Sequence, residues 1–283
     1  MVMGEYIKDK HNRNFVILTG ILLLAFIVVF LPTWQKLINS WSSSDDYSHG
    51  FLIVPLCLYI LWQKRQQLCD QIISPTWAAF PLVVLALLFY LIAQYAEILT
   101  LAPLAMIMFL GAGLFFLCGM QVFKLCLFPL FLLIFMVPVP AQIYAALTIP
   151  LQLFVTKVTV FIASFIGVPI LREGNVLYLP EHTLQVVQAC SGLRSIMSLL
   201  TLGAVVAYFG LNSNLLRAVL FVSAIPIAIL VNVFRVLLMV IAFYYFDFDL
   251  THGTTHTLFG AAIFVLAIIL FLLLRKGMTL CEK

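Results

Sequence analysis

Residues 218–246 carry a single charged side chain, Arg235, in a stretch built mostly of aliphatic and aromatic residues. A run beyond roughly 18 apolar residues marks a membrane span, because no soluble core of ordinary size hides it. With this one, apolar segments, two of them shorter, lie at about residues 15–34, 50–62, 77–93, 98–117, 125–137, 193–209, 216–245 and 258–274. The composition agrees: 64% of the 283 residues are hydrophobic and 9% charged, with a mean hydropathy of +1.17. The expected fold is therefore an all-α integral membrane protein, a polytopic bundle of about eight transmembrane helices. No small-residue cleavage site follows the first apolar run, so that run is expected to remain as the first span. No repeat, low-complexity tract or linker divides the chain, and residues 1–283 are expected to form one membrane-embedded domain. A net charge of +4, scattered along the chain, gives no basic patch and argues against a nucleic-acid partner.

Basic residues set the expected sidedness. Lys64, Arg65, Lys124, Arg217, Arg275 and Lys276 fall on one side if both termini are cytoplasmic. The opposite side then holds Asp45, Asp46, Glu97, Glu173, Glu181, Asp247 and Asp249, with few cations. Residues 141–168 are apolar enough to cross once, but one crossing would invert everything that follows. They are expected to lie as an interfacial helix or to dip in as a re-entrant hairpin. Residues 170–189 are then external. Glu173-Gly174-Asn175 is a turn signal, and a small β-hairpin is expected there.

Six cysteines occur, at 57, 69, 118, 126, 190 and 281, with no C-x-x-C pair that would suggest a zinc or dithiol site. On this topology only Cys190 is external, a thiol with no disulfide partner. A cysteine at a helix start is commonly a packing residue. Three features favour chemistry here. Ser191-Gly192 places Cys190 at a helix N-terminus, where backbone N–H groups favour a thiolate. Arg194 lies one turn on, and further ionisable residues sit in neighbouring spans.

Arg235 is one of these. An arginine deep in a span costs at least about 2.5–3.5 kcal/mol, so it should face a partner or a polar cavity. It stands about 18 residues, roughly 27 Å of helix, beyond Arg217, in the outer half of the membrane. Asn232 precedes it by three residues on the same face, and Pro226 is expected to kink this helix. A structural ion pair with Asp247 or Glu97 is the alternative. His256 opens the last span, with His252 four residues before it. Such a pair can form a metal face, but no H-E-x-x-H signature accompanies it, and no metal or cofactor is expected. A cysteine with a histidine base and an arginine donor is a set suited to acyl transfer.

The segments "ACSGLRS", "NVFR" and "HTLFGAAIF" resemble the three signature motifs of the exosortase and archaeosortase family. The motifs are a Cys followed by Ser-Gly, an Asn-x-x-Arg, and a His-x-x-x-Gly-x-x-x-Phe. They fall here on Cys190-Ser191-Gly192, on Asn232 and Arg235, and on His256, Gly260 and Phe264. "DYSHGFLIVPLCLYILWQKR" and "REGNVLYLP" are also similar to family segments, so the resemblance covers nearly the whole chain. It implies a membrane cysteine protease or transpeptidase with Cys190 as nucleophile and Arg235 and His256 as its partners. The implied substrates are secreted precursors whose C-terminal signal joins a short Pro-Glu-Pro type motif, a transmembrane helix and a basic tail. Cleavage would pass through a thioester, with transfer to water or a surface acceptor. The implied setting is the cytoplasmic (inner) membrane, among membrane lipid, with the active site on the outer, periplasmic face. His252 competes with His256 as base and Arg194 with Arg235 as oxyanion donor. His49 is a candidate substrate contact. Two other classes compete: a glycan or lipid transporter or flippase using Arg235 as an anion site, and an intramembrane metalloprotease using His252 and His256.

Overall fold

The computed structural model of the chain describes residues 20–186, 192–251 and 253–281. Cys190 and His252 lie outside the described residues. The chain divides into two compact units, Met1–Pro138 and Val139–Lys283. Among the described residues, six helices are long and apolar enough to cross a membrane, and up to seven if one bent pair counts as a span. Two further apolar helices, Gly50–Gln63 and Met120–Met136, are shorter.

In the first unit, α1 (Gly20–Val29) and α2 (Leu31–Ser43) form the bent pair, turned by 67°. The sequence predicts one span over residues 15–34. Pro32 explains the difference: it has no N–H to donate backwards, and its ring crowds the preceding turn, so the helix breaks at Phe30 and restarts with proline in its first turn. α3 (Gly50–Gln63) and the short α4 (Arg65–Cys69) follow. A 3₁₀ turn at Trp77–Ala79 leads into α5 (Phe80–Tyr95), which packs along α6 (Leu101–Cys118). Gly119, at φ +88°, then reverses the chain into α7 (Met120–Leu133). The last carbonyls of α6 keep partners: Cys118 O accepts from Ser74 N and Phe116 O from Thr76 N. Pro129 inside α7 cannot donate to Leu125, and the Lys64 ammonium donates to that carbonyl instead, at 3.2 Å. Thr33, buried in α2, donates to the Tyr90 hydroxyl, which also accepts from Gln94.

The end of α7 is built from orphan carbonyls. A 3₁₀ turn over Ile134–Met136 runs into Pro138 and Pro140, which supply no N–H. Side chains make up the deficit: His49 Nε2 donates to Phe135 O (3.1 Å), Trp41 Nε1 to Met136 O (2.9 Å), and Thr100 Oγ1 to Pro138 O (2.8 Å). Gly50 is required beside them, because a Cβ there would collide with the Trp41 indole. His49, a sequence candidate for substrate contact, thus uses a ring nitrogen within the first unit.

Burial holds the His49 imidazole below its usual pKa of 6.5, outweighing the carbonyls of Phe135 and Asp46 and the Asp46 carboxylate, which act the other way. The unfolded chain therefore takes up the proton at higher pH than the folded one. This contribution to stability is complete above pH 6.5 and is lost as the pH falls from there through the folded pKa. Thermal unfolding in detergent between about pH 5 and about pH 8 should show this decline. His49→Ala should remove that part of the slope and cost about 1–3 kcal/mol at neutral pH by orphaning the Phe135 carbonyl.

In the second unit, α8 (Ala141–Phe165) is one continuous helix of 25 residues that continues through Pro150. Of the two expected forms, an interfacial helix or a re-entrant hairpin, the hairpin is corrected: no turn interrupts the helix, and its length and composition suffice for a crossing. Its buried face is partly polar, with Thr148, Gln152, Thr156 and Thr159. Thr156 donates to Gln152 O and lies 3.3 Å from Gly174 O, linking α8 to the sheet that follows.

That sheet has three antiparallel strands, β1 (Leu171–Glu173), β2 (Val176–Tyr178) and β3 (Thr183–Gln185), in the order β1-β2-β3. The expected hairpin is its first half. Glu173 pairs with Val176, so Gly174-Asn175 forms the two-residue loop, with Gly174 at φ +63°. Leu177 pairs with Leu184, and both are buried in a core with Val155 and Ala163 of α8. α10 contributes Val233, Val236 and Val240 to the same core. α9 (Leu193–Gly210), α10 (Asn214–Phe246) and α11 (Gly253–Cys281) complete the unit. α10 packs against α8, α9 and α11, and so forms the centre on which the other helices lean.

Candidate active site

Gly192 starts α9 as its N-cap at φ +88°, a left-handed conformation that suits glycine. It is also a close approach. A Cβ at this position would lie 2.9 Å from Cγ and Nδ2 of Asn232, which is buried on α10. The Ser-Gly and Asn-x-x-Arg motifs therefore meet at the glycine.

One turn along α10, Arg235 Nη2 lies 3.1 Å from His256 Nε2 on α11. A guanidinium can only donate, so Nε2 accepts and the ring hydrogen belongs on Nδ1. Nδ1 stands 3.1 Å from the carbonyl oxygen of Leu250, which accepts that hydrogen. The two bonds assign the same neutral tautomer and hold the ring from both edges. Gly260, four residues after His256 on the same helical face, leaves room for the guanidinium: a Cβ there would lie 3.5 Å from Nη2. Phe264 follows one turn further. Asn232, Arg235, Gly260 and Phe264 line one small cavity with Ser195 of α9, closed by Ala228 and Ala267. Its volume is about 10 Å³, close to the space of one water molecule.

The structure thus brings together Asn232, Arg235 and His256 of the sequence candidates, and sets Gly192 against them. Arg194 is half-buried in the first turn of α9, but the cavity is lined by its neighbour Ser195. Asp247, weighed with Glu97 as an alternative ion-pair partner of Arg235, lies instead 2.7 Å from His182 Nε2. Both ring nitrogens of His256 are engaged, one by a cation, which leaves no lone pair free for a metal ion in this arrangement. α10 continues as helix through Pro226.

Two features escaped the sequence. The Leu250 carbonyl is backbone and carries no residue signature. Ser195 sits in the "CSGLRS" segment but is one serine among several in the chain; only its place three residues after the glycine N-cap could have singled it out.

No curated protein and no solved structure matches the chain. One family does, that of the transmembrane exosortases (Exosortase_EpsH), over residues 41–273. The matched stretch takes in the glycine at the start of α9, the Asn232–Arg235 turn and the His256–Phe264 face, and the chain belongs to the transmembrane exosortase family.

Proposed function

We propose that the chain is a membrane-embedded cysteine peptidase and transpeptidase that cleaves C-terminal sorting signals from secreted precursors. The signal is of the Pro-Glu-Pro type, followed by a transmembrane helix and a basic tail. The enzyme works in the cytoplasmic (inner) membrane with its site at the outer face and both termini inside. The observation that carries this reading is that the Asn-x-x-Arg and His-x-x-x-Gly-x-x-x-Phe motifs line one cavity, with Arg235 and His256 in hydrogen-bond contact and Gly192 packed against Asn232.

The chemistry follows from the groups. His256 is held as the neutral tautomer by Leu250 O. When a substrate carbonyl enters, Nε2 exchanges its bond to Arg235 for the Cys190 thiol and takes the thiol proton. The released guanidinium donor turns to the carbonyl oxygen, where negative charge develops as the sulfur–carbon bond forms. The tetrahedral adduct collapses, the peptide C–N bond breaks, and His256 returns its proton to the leaving amine. The sorting helix departs, and the precursor remains as a thioester on Cys190. Water or an acceptor amine attacks the thioester, loses its proton to His256, and regenerates the thiol.

Trapping the thioester tests this. Purified enzyme in excess over a tagged precursor, quenched in acid during the first turnover, should show the tagged fragment bound to Cys190 by intact mass, released by neutral hydroxylamine. Consumption of the precursor with no adduct at any time would overturn the reading. A transporter using Arg235 as an anion site, or a metalloprotease, forms no such adduct.

A further inference from the structure

His256 is oriented by a carbonyl that belongs to no helix or strand, so something must hold that carbonyl in place. Leu250 lies in the connector between α10 and α11. The connector begins at Asp247, the C-cap of α10, at φ +50°. Its N–H and that of Phe248 both return to Ala242 O, which ends the helix. Asp249 Oδ1 then accepts from Thr251 N and Oγ1, each at 2.6 Å, forming a tight turn.

The Asp247 carboxylate is held from outside the helix by His182 Nε2 at 2.7 Å. The His182 ring also lies on Phe243, with centroids 4.9 Å apart, one turn before Asp247 on α10. His182 immediately precedes β3, and its own carbonyl accepts from Leu179 N in the turn from β2. β3 is pinned in turn: Val186 N donates to Asn175 O, and Asn175 Nδ2 donates to Val186 O. Cys190 follows β3 by five residues in the sequence. A cleft of about 220 Å³, lined by Pro180, Glu181 and Tyr244 among others, lies beside the pair. Asp247 is 82% exposed. An ion pair this open contributes little to global stability. It joins the start of the α10–α11 connector to the turn before β3.

We propose that His182 is a positioning residue. Through Asp247 it fixes the connector that presents the Leu250 carbonyl to His256 Nδ1, and it ties that connector to the turn before β3. The catalytic consequence rests on the function proposed above; the structural link does not.

The test uses the full-length enzyme in detergent or proteoliposomes. His182→Ala and Asp247→Ala should each lower kcat about tenfold with KM little changed, as expected for a base slightly misplaced. The double variant should be no slower than the slower single one. His182→Gln, which keeps a donor at similar reach, should recover to within about threefold of wild type. Asp247→Gly is the control for backbone shape, since glycine accepts the left-handed conformation without strain. It should be as slow as Asp247→Ala. Amide hydrogen exchange over residues 248–256 should rise in His182→Ala without any substrate present. Additive losses, full activity in Asp247→Gly, or unchanged exchange would each overturn the proposal. If no variant or wild type cleaves through Cys190, the functional reading fails, and the exchange measurement alone still decides the link.

Discussion

Replacing Cys190 with alanine should abolish precursor processing, a fall on the order of 10⁴-fold or more, while the protein accumulates in the membrane as before. The reasoning starts with the bond to be broken. A peptide C–N bond needs a nucleophile, and in the proposed mechanism the Cys190 thiol is that group. Cys190→Ser sharpens the test. Serine keeps the shape and an oxygen nucleophile, yet a hydroxyl ionises far less readily than a thiol, whose ordinary pKa is about 8.5. The adjacent Ser191 is no substitute for the same reason. His256, held for a thiol, would have to extract a much less acidic proton. Serine should therefore be nearly as inactive as alanine. Quantitative immunoblotting of full-length and cleaved precursor, with enzyme level measured in the same membranes, decides it. Processing at the wild-type rate in either variant would remove Cys190 from the mechanism.

Much of this arrangement is legible in the sequence, for reasons that differ by element. The apolar runs announce α5, α6, α10 and α11, because hydropathy over a long window is nearly independent of neighbours. Gly174-Asn175 announces its hairpin, because a two-residue loop demands positive φ. The motif glycines are legible as letters but not as reasons. Gly192 is needed for the close approach of Asn232, and Gly260 for the Arg235 guanidinium, and neither contact exists until three helices are packed. The break at Phe30 follows from Pro32, a signal that the apolar run masks. α8 resists placement from sequence because its run is apolar enough to cross while the distribution of basic residues argues against a crossing; that it is one continuous helix is visible only in the structure.

The least legible feature is the pairing of His182 with Asp247, 65 residues apart, with no spacing rule connecting them. His49 shows the opposite difficulty. It sits in a segment similar to the family pattern and so invites a functional role, yet its observed bond is to a backbone carbonyl left without a donor by a proline-rich turn. Both cases have one cause. Hydrogen bonds to backbone or across distant loops depend on where chain ends fall, and residue identity does not encode that.

Arg235→Ala should lower turnover about 10²–10³-fold, the usual effect of losing one oxyanion donor. Stability should not suffer in proportion, because an arginine in a span is expensive to bury and alanine is not. Asn232, Gly260 and the apolar side chains around the cavity would remain. The loss should appear in kcat rather than in KM if the guanidinium acts on charge that develops only in the transition state. Arg235→Lys is the more informative variant. Lysine keeps the charge but replaces a planar fork with a single point donor on a flexible stem. It cannot present a planar set of fixed donors to the carbonyl oxygen once the contact with His256 Nε2, 3.1 Å for Arg235, is released. An intermediate loss of about 10–100-fold is expected. Single-turnover cleavage measured with saturating precursor separates the outcomes. Full activity in Arg235→Lys would mean that charge alone suffices and that the fork geometry is incidental. Full activity in Arg235→Ala, with Arg194→Ala inactive, would transfer the oxyanion role to the arginine in the first turn of α9.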